Sequence, residues 1–201
     1  MLVLGLDIAS STGACWMDTD AKPSAWRCLA LESEGEFAEE KSTDLALFLY
    51  EESQRKRPDF VAIEQPRRDV ATYPKEVVDR QTGQKRTIQT VNADQMQLPG
   101  MVAAVAAVFD VLGVPWGLVS SRTWRPSYFG RGYKPPHDDW KQAAVDYARL
   151  QNILLPSTKK AQRDAAEAIG IASAWMKCTQ IPARHHKAFM ELRAGYGRVA
   201  A

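Results

Sequence analysis

Residues 1–18, MLVLGLDIASSTGACWMD, decide how the chain is read. Met1–Leu6 is an apolar run suited to a strand inside a sheet. Ala9–Thr12 is a tight Ser/Thr turn, and Gly13–Met17 is a second apolar run. Runs joined this closely pair antiparallel, and Trp26–Leu31 extends them to a three-stranded meander. Asp7 ends the first run, where an acid has three ordinary uses: to hold a metal, to hold the partner of a phosphate, or to bond the Ser10–Gly13 turn.

Outward from this stretch the elements alternate. Ala38–Arg55 has apolar residues at Leu45, Phe48 and Leu49 on an otherwise charged background, the pattern of a surface helix. Phe60–Ile63 is a short apolar run ending in Glu64, which a helical crossover makes a buried parallel strand. Gln65–Val91 is polar, carries Pro66, Pro74 and Gly83, shows no period and reads as a long loop. Ala93–Leu112 reads as an Ala/Val helix interrupted by Pro99 and Gly100. Its small residues Gly100, Ala103, Ala104, Ala106 and Ala107 suit either a core or a subunit contact. Pro115–Val119 gives a fifth strand, and Arg122–His137 an aromatic, basic, Gly/Pro-rich loop. Asp139–Leu150 and Arg163–Met176 give two final helices, with a basic tail after Thr179. The order predicts an α/β fold, one five-stranded mixed sheet flanked by helices.

A chain of 201 residues suits one domain. The net charge of +2 does not by itself call for nucleic acid, but its distribution is regional. Asp20–Asp59 holds ten acids and six bases, whereas Gln65–Thr90 holds six bases and three acids, and Lys177–Ala201 five bases and one acid. Cys15, Cys28 and Cys178 are odd in number and lack CxxC spacing, which fits free thiols in a reducing compartment. The N-terminus lacks a basic leader, and the longest apolar stretch, MVAAVAAVF, is far shorter than a membrane span of ~20 residues. These features predict a cytoplasmic protein without membrane contact.

Chemistry concentrates in four acids. Asp7 and Glu64 leave the sheet at the same edge if their strands are neighbours. Asp164 and Glu167, in RDAAEAIGIA, share a helix face at i,i+3 spacing, and Ile169 and Ala172 continue that face inward. Converging carboxylates repel unless a cation joins them, and a hard divalent ion such as Mg²⁺ suits an all-oxygen ligand set. Two such ions about 4 Å apart can activate water and stabilise the leaving oxygen of a phosphodiester. Taken singly, each acid also has an ordinary use: Glu64 as a partner of Arg67 or Arg68, Asp164 as a first-turn helix acid, Glu167 as a solvated residue.

The segments LGLDIASSTG, VAIEQP, NADQMQLPGMVAAVAAV and DAAEAIGIA, in this order, resemble the RuvC family of Holliday-junction resolvases, with a ribonuclease H-like fold. The resemblance covers most of Met1–Met176. It implies a nuclease domain over residues 1–178 with a basic loop at about 66–92, and a basic extension over 179–201. Asp7, Glu64, Asp164 and Glu167 fall on the family's metal-binding acids, and Lys141 on a lysine near the scissile phosphate. The implied cofactor is Mg²⁺, with Mn²⁺ as substitute and two ions per site. The implied activity is paired hydrolysis of four-way junctions by a homodimer, leaving 5′-phosphate and 3′-hydroxyl ends, in a bacterial cytoplasm or in a phage host. Two positions depart from the pattern. Glu167 replaces a shorter Asp, and Gln65, Pro66, Arg67 and Arg68 stand where the family carries an aromatic that opens the junction. Candidate DNA contacts are Arg67, Arg68, Lys75, Arg80, Lys85 and Arg86 beside Glu64, and Arg122, Arg125, Arg131 and Lys134 in the aromatic loop. Trp124 fits packing, Tyr133 fits packing or stacking, and Tyr73 is a possible stand-in for the junction aromatic. His185 and His186 lack a metal-ligand set. A broader branched-, flap- or RNA-cutting nuclease, an inactive junction-binding protein and an actin-like phosphotransferase are the alternatives.

Overall fold

The structure, a computed structural model, describes residues 1–66, 72–79, 82–91 and 93–177. Its centre is a five-stranded sheet. β1 (Leu2–Asp7), β2 (Ser11–Asp18) and β3 (Arg27–Glu32) form the antiparallel meander. β4 (Phe60–Glu64) and β7 (Trp116–Val119) add in parallel, giving the order β3-β2-β1-β4-β7. The five strands foreseen from the sequence all form, and the mixed pairing follows from their connections. A tight turn permits only antiparallel pairing, whereas α1 (Ala38–Arg55) and α2 (Ala93–Val111) carry the chain back across the sheet before β4 and β7.

Strand alternation divides the core in two. Leu2, Leu4 and Leu6 of β1, Val61 and Ile63 of β4, and Ala14 and Trp16 of β2 face α1 and α2, where they meet Leu45, Leu49, Val105 and Phe109. Val3, Phe60, Ala62, Cys15 and Met17 face the opposite layer. That layer is built from α3 (Ser121–Phe129), α4 (Trp140–Leu150) and α5 (Lys159–Lys177). It supplies Trp124, Ala148, Ile169, Ala172 and Trp175, and Trp175 stacks on Phe60 with ring centroids 4.7 Å apart.

α5 lies unusually close to the sheet because two strand positions are glycine. A Cβ on Gly5 would stand 2.2 Å from the Ala168 carbonyl oxygen, and one on Gly13 would stand 2.0 Å from that of Asp164. Gly13 therefore serves helix approach rather than the turn.

Three expectations are corrected. Gln65–Val91 is not a plain loop. It contains β5 (Thr72–Val78) and β6 (Lys85–Val91), an antiparallel hairpin with Val78 opposite Lys85 and Thr72 opposite Val91. Both its faces are largely exposed, so no apolar alternation marks it, and Pro74 is tolerated because each strand of a two-stranded ribbon is an edge. The aromatic loop opens with α3, whose Trp124 and Tyr128 are buried at i,i+4 spacing. Finally, α5 begins four residues before Arg163, at Lys159, with Thr158 Oγ1 accepting from the Ala161 amide. Asp164 is thus not a first-turn acid.

Cys15 and Cys28 lie on β2 and β3 as free thiols, their sulfurs 3.0 Å apart. No helix among the described residues is long and apolar enough to cross a membrane. Cys178, the residues after it including His185 and His186, and Arg67, Arg68 and Arg80 lie outside the described residues.

Candidate active site

Parallel pairing of β1 with β4 sets Leu6 opposite Ile63, so the next residues, Asp7 and Glu64, leave neighbouring strands together. Both belong to the alternation that faces α5, since Val3 and Gly5 in β1 and Phe60 and Ala62 in β4 meet that layer. α5 carries Asp164 and Glu167 over the same edge. Asp7, Asp164 and Glu167 are buried and Glu64 is half-buried. The four acids come from three distant segments; Asp7, Glu64 and Glu167 open on one cleft of about 500 Å³, lined also by Gln65, Arg125, Trp140 and Lys141, and Asp164 meets it through Lys141.

Lys141, on the first turn of α4, points its ammonium among them. Nζ lies 2.6 Å from Asp164 Oδ1, 3.3 Å from Glu167 Oε2 and 3.9 Å from Asp7 Oδ2. One cation thus reaches carboxylates of β1 and α5 together. Its burial alone would favour the neutral amine. The Asp164 hydrogen bond and the charges of Asp7 and Glu167 outweigh that, and the lysine pKa rises above its ordinary value. The carboxyls show the strain of crowding. Burial first, then the charges of Glu167 and Glu64, push Asp7 well above the usual carboxylate range, and Asp7 shares a side-chain hydrogen bond with Glu64. Glu167 is raised by burial and by Glu64, against the lowering effects of Lys141 and Arg125.

Residues to which the sequence assigned no part in the acid cluster hold these acids in place. Ser11 Oγ donates to Asp164 Oδ2 at 2.8 Å, and Trp124 Nε1 donates to Glu64 Oε1 at 3.0 Å. Trp124 is fully buried, as packing predicted, and gains this second task. Arg125, a candidate DNA contact, is turned into the cleft. It lies 3.5 Å from Glu167 Oε1, with its guanidinium 4.8 Å from the Trp140 ring centroid and 5.4 Å from that of Trp124. The signal for Ser11 lay in its register on β2 beside Gly13. The signal for Trp124 and Arg125 lay in the 3.6 period of α3.

Among the described residues, no three His, Cys, Asp or Glu side chains stand in ligating positions about one point. The point that three carboxyls share is held by the Lys141 ammonium. The donor chemistry nevertheless fits a hard divalent ion: buried carboxylate oxygens, two of them with raised pKa values, already gathered round a positive charge.

The architecture matches solved structures. RuvC of Thermus thermophilus in complex with Holliday junction substrate shares 17% identity, covering 88% of this chain and 92% of that one, with a TM-score of 0.56. A second Thermus thermophilus RuvC structure shares 16% identity over 90% of this chain and 100% of its own, with a TM-score of 0.54. The yeast mitochondrial Holliday junction resolvase Ydc2 shares 13% over 98% and 85%, with a TM-score of 0.52. The chain has the RuvC-like, ribonuclease H-like fold. No family model and no curated protein matches the sequence.

Within this RuvC-like frame the basic candidates divide. Lys75, Lys85 and Arg86 are exposed on the hairpin, and Arg122, Arg131 and Lys134 are exposed around α3 and the loop after it. Tyr133 is 41% exposed and stacks on Phe129, with centroids 5.1 Å apart. Register gives the hairpin two unlike faces. Tyr73, Lys75 and Val77 share one with Thr90, Ile88 and Arg86, and no acid of β5 or β6 stands on it, Asp79 following at its end. The other carries Lys85, whose ammonium lies 3.8 Å from the Glu76 carboxylate.

Proposed function

We propose that the protein is a divalent-metal-dependent, structure-specific DNA endonuclease that resolves four-way junctions as a homodimer. The observation that carries this reading is the gathering of Asp7, Asp164 and Glu167 from distant segments around one ammonium, with Glu64 beside Asp7. It is supported by the fold shared with RuvC and Ydc2.

Asp7, Glu64, Asp164 and Glu167 are the residues that would hold Mg²⁺, or Mn²⁺ in its place, as two ions. When bound, these lower the pKa of a water and stabilise charge on the phosphoryl oxygens. Ser11 and Trp124 fix the rotamers of Asp164 and Glu64, so the ligand set is partly preorganised. The Lys141 ammonium, partly exposed at the cleft, is placed to neutralise the scissile phosphate. Hydrolysis forms one bond from water oxygen to phosphorus and breaks the bond from phosphorus to O3′. The 3′ oxygen leaves as a hydroxyl after taking a proton, and the 5′ end keeps the phosphate. The hairpin face with Lys75 and Arg86 and the exposed Arg122, Arg131 and Lys134 supply backbone contacts.

α2 supports the dimer. Val105 and Phe109 lie in the core, while Gly100, Ala103, Ala107 and Val111 are exposed on a different face. A Cβ on Gly100 would meet nothing, leaving room for close approach. With Leu47 and Tyr50 of α1, this side of α2 borders an apolar groove. Two-fold pairing through it would give two sites for two nicks.

The test is cleavage of four-way, three-way, flap and linear duplex DNA, and of RNA, with Mg²⁺, Mn²⁺ or EDTA. Paired metal-dependent nicks in the four-way substrate, absent in Asp7→Asn and Asp164→Asn, are expected. Junction binding without metal-dependent products, or full-rate cleavage by those variants, refutes it. A second reading, a broader branch- or flap-cutting nuclease, is favoured by one observation. Gln65 and Pro66, not an aromatic, follow Glu64 into the cleft. Equal cutting of three-way and flap substrates would select it.

A further inference from the structure

A second cavity, of about 340 Å³, lies between α4 and α5 and is lined by Gln142, Val145, Arg149, Ser157, Lys159, Gln162 and Arg163. Three of these side chains are cationic and none is acidic. Their charges are unequally matched. Arg163 is bound to Asp139 through two bonds of 2.8 and 3.1 Å. Arg149 has only Asp146 at 3.9 Å on the exposed surface, and directs a second nitrogen to Gln162 Oε1 at 3.0 Å. Lys159 makes no ion pair among the described residues. The neighbouring Lys160 does not share the cavity, because it is turned to Glu32 at 2.6 Å.

The placement of Lys159 runs against helix electrostatics. α5 has no acid in its first turn and begins instead with two lysines, where a cation opposes the helix dipole. Asp139 is near enough to act on Lys159 by charge, but it is paired with Arg163, so no described carboxylate of its own satisfies Lys159. An anion in the cavity would. Asp139 identifies which anion. It lines the carboxylate cleft on one side and, through Arg163, the second cavity on the other. The same division runs along both helices, since Lys141 and Asp164 face the cleft while Gln142 and Arg163 face the cavity. The two spaces share a wall one ion pair thick.

We propose that the α4–α5 cavity seats a backbone phosphate of the strand being cut, next to the scissile position, through Lys159 and Arg149 with the bound Arg163 behind them. This deepens the nuclease reading and rests on it. The contact is to phosphate and carries no base information, so it sets the strand's register over the carboxylates rather than its sequence.

The test is binding of a four-way DNA junction in EDTA, followed by fluorescence anisotropy over a salt series, for the wild-type chain and for Lys159→Gln/Arg149→Gln. Both positions are exposed, and an unchanged melting temperature checks the fold. Loss of one phosphate contact lowers the magnitude of the slope of log K against log salt by about 0.7–0.9, so the affinity ratio of wild type to variant changes about threefold between 50 and 200 mM salt. Junctions carrying a single neutral methylphosphonate, moved stepwise past the cut site, locate the contact. One position beside the nick weakens the wild type about as much as the double substitution does, and has no further effect on the variant. An unchanged slope, or methylphosphonate effects that simply add to the substitutions at every position, overturns the assignment and leaves the nuclease reading standing. Stabilisation by inorganic phosphate that vanishes in the variant, without any change in DNA slope, also overturns it and makes the cavity a small-anion site. A wild-type chain that binds no junction at all overturns both.

Discussion

Replacing Lys141 by Met removes the charge among the acids and keeps most of the side-chain volume. The ammonium lies within 4 Å of three carboxyls, at 2.6, 3.3 and 3.9 Å. Removing one partner of a fully buried ion pair costs about 3–5 kcal/mol. Lys141 is 38% exposed, so solvent screens part of that, and Asp7 can take up a proton to relieve more. An order of 2 kcal/mol remains, which for a chain of this size lowers the melting temperature by about 4–8 °C. The assay is thermal unfolding followed by circular dichroism, in EDTA and then in Mg²⁺. An ion at a concentration a hundredfold above its dissociation constant returns about 2.7 kcal/mol. The variant should therefore be less stable than the wild type in EDTA and should gain more from Mg²⁺, because no ammonium has to be displaced. Equal stability in EDTA, or equal gains from Mg²⁺, would show that Lys141 does not hold the ion's place.

Gly13→Ala should impair cleavage without touching DNA. Its Cβ would stand 2.0 Å from the Asp164 carbonyl oxygen, so α5 must shift, and a displacement near 1 Å costs on the order of 10²-fold in single-turnover rate while junction affinity is kept. Without metal, stability should fall as pH rises from about 3.8, because the folded chain holds the Asp7 proton after the unfolded chain has released it. Lys141 acts at the other end, where its contribution is complete below 10.5 and is lost as pH rises through the higher folded value. Unfolding by urea at each pH reads both limbs, and a flat profile refutes the crowding. Val111→Lys, at a position 83% exposed, should convert a dimer in sedimentation to a monomer that makes single rather than paired nicks. A wild type that already sediments as a monomer refutes the α2 interface.

The centre of the main sheet was legible because its strands β1 and β4 are buried and end abruptly in polar residues. Leu2–Asp7 and Phe60–Glu64 are apolar up to their last residue, and that boundary marks both the strand end and the acid. The i,i+3 spacing of Asp164 and Glu167 was visible for the same reason, since Ile169 and Ala172 fix the inward face of α5. The hairpin was not legible, because a ribbon exposed on both faces has no apolar period. α3 was obscured by Pro126 and Gly130, although Trp124 and Tyr128 keep helical spacing. Nothing local shows that Arg125 turns toward Glu167, or that Ser11 reaches Asp164 across 153 positions of chain. Those contacts depend on how closely α5 settles on the sheet, which the glycines at 5 and 13 determine.

The two sides of the sheet divide the work. A site at the carboxyl ends of β1 and β4 can be reached only where no helix covers that edge, and open α/β sheets place ligand crevices there. α1 and α2 close one side and leave an apolar groove outward, a surface suited to a second chain. α3, α4 and α5 close the other and contribute Trp124, Lys141, Asp164 and Glu167 from their packed turns. Groups on helices that also form the core are held more firmly than groups on loops. The long insertion between β4 and α2 has the opposite character. It leaves the sheet directly after Glu64 and its hairpin is solvated on both faces, so its side chains can change without disturbing the acids. Junction selectivity should therefore follow the hairpin and cleavage chemistry the core. Exchanging Tyr73, Lys75 and Arg86 for Ser should alter the ranking of branched substrates while the metal dependence stays as it was. A change in metal dependence instead would mean that the hairpin reaches into the cleft.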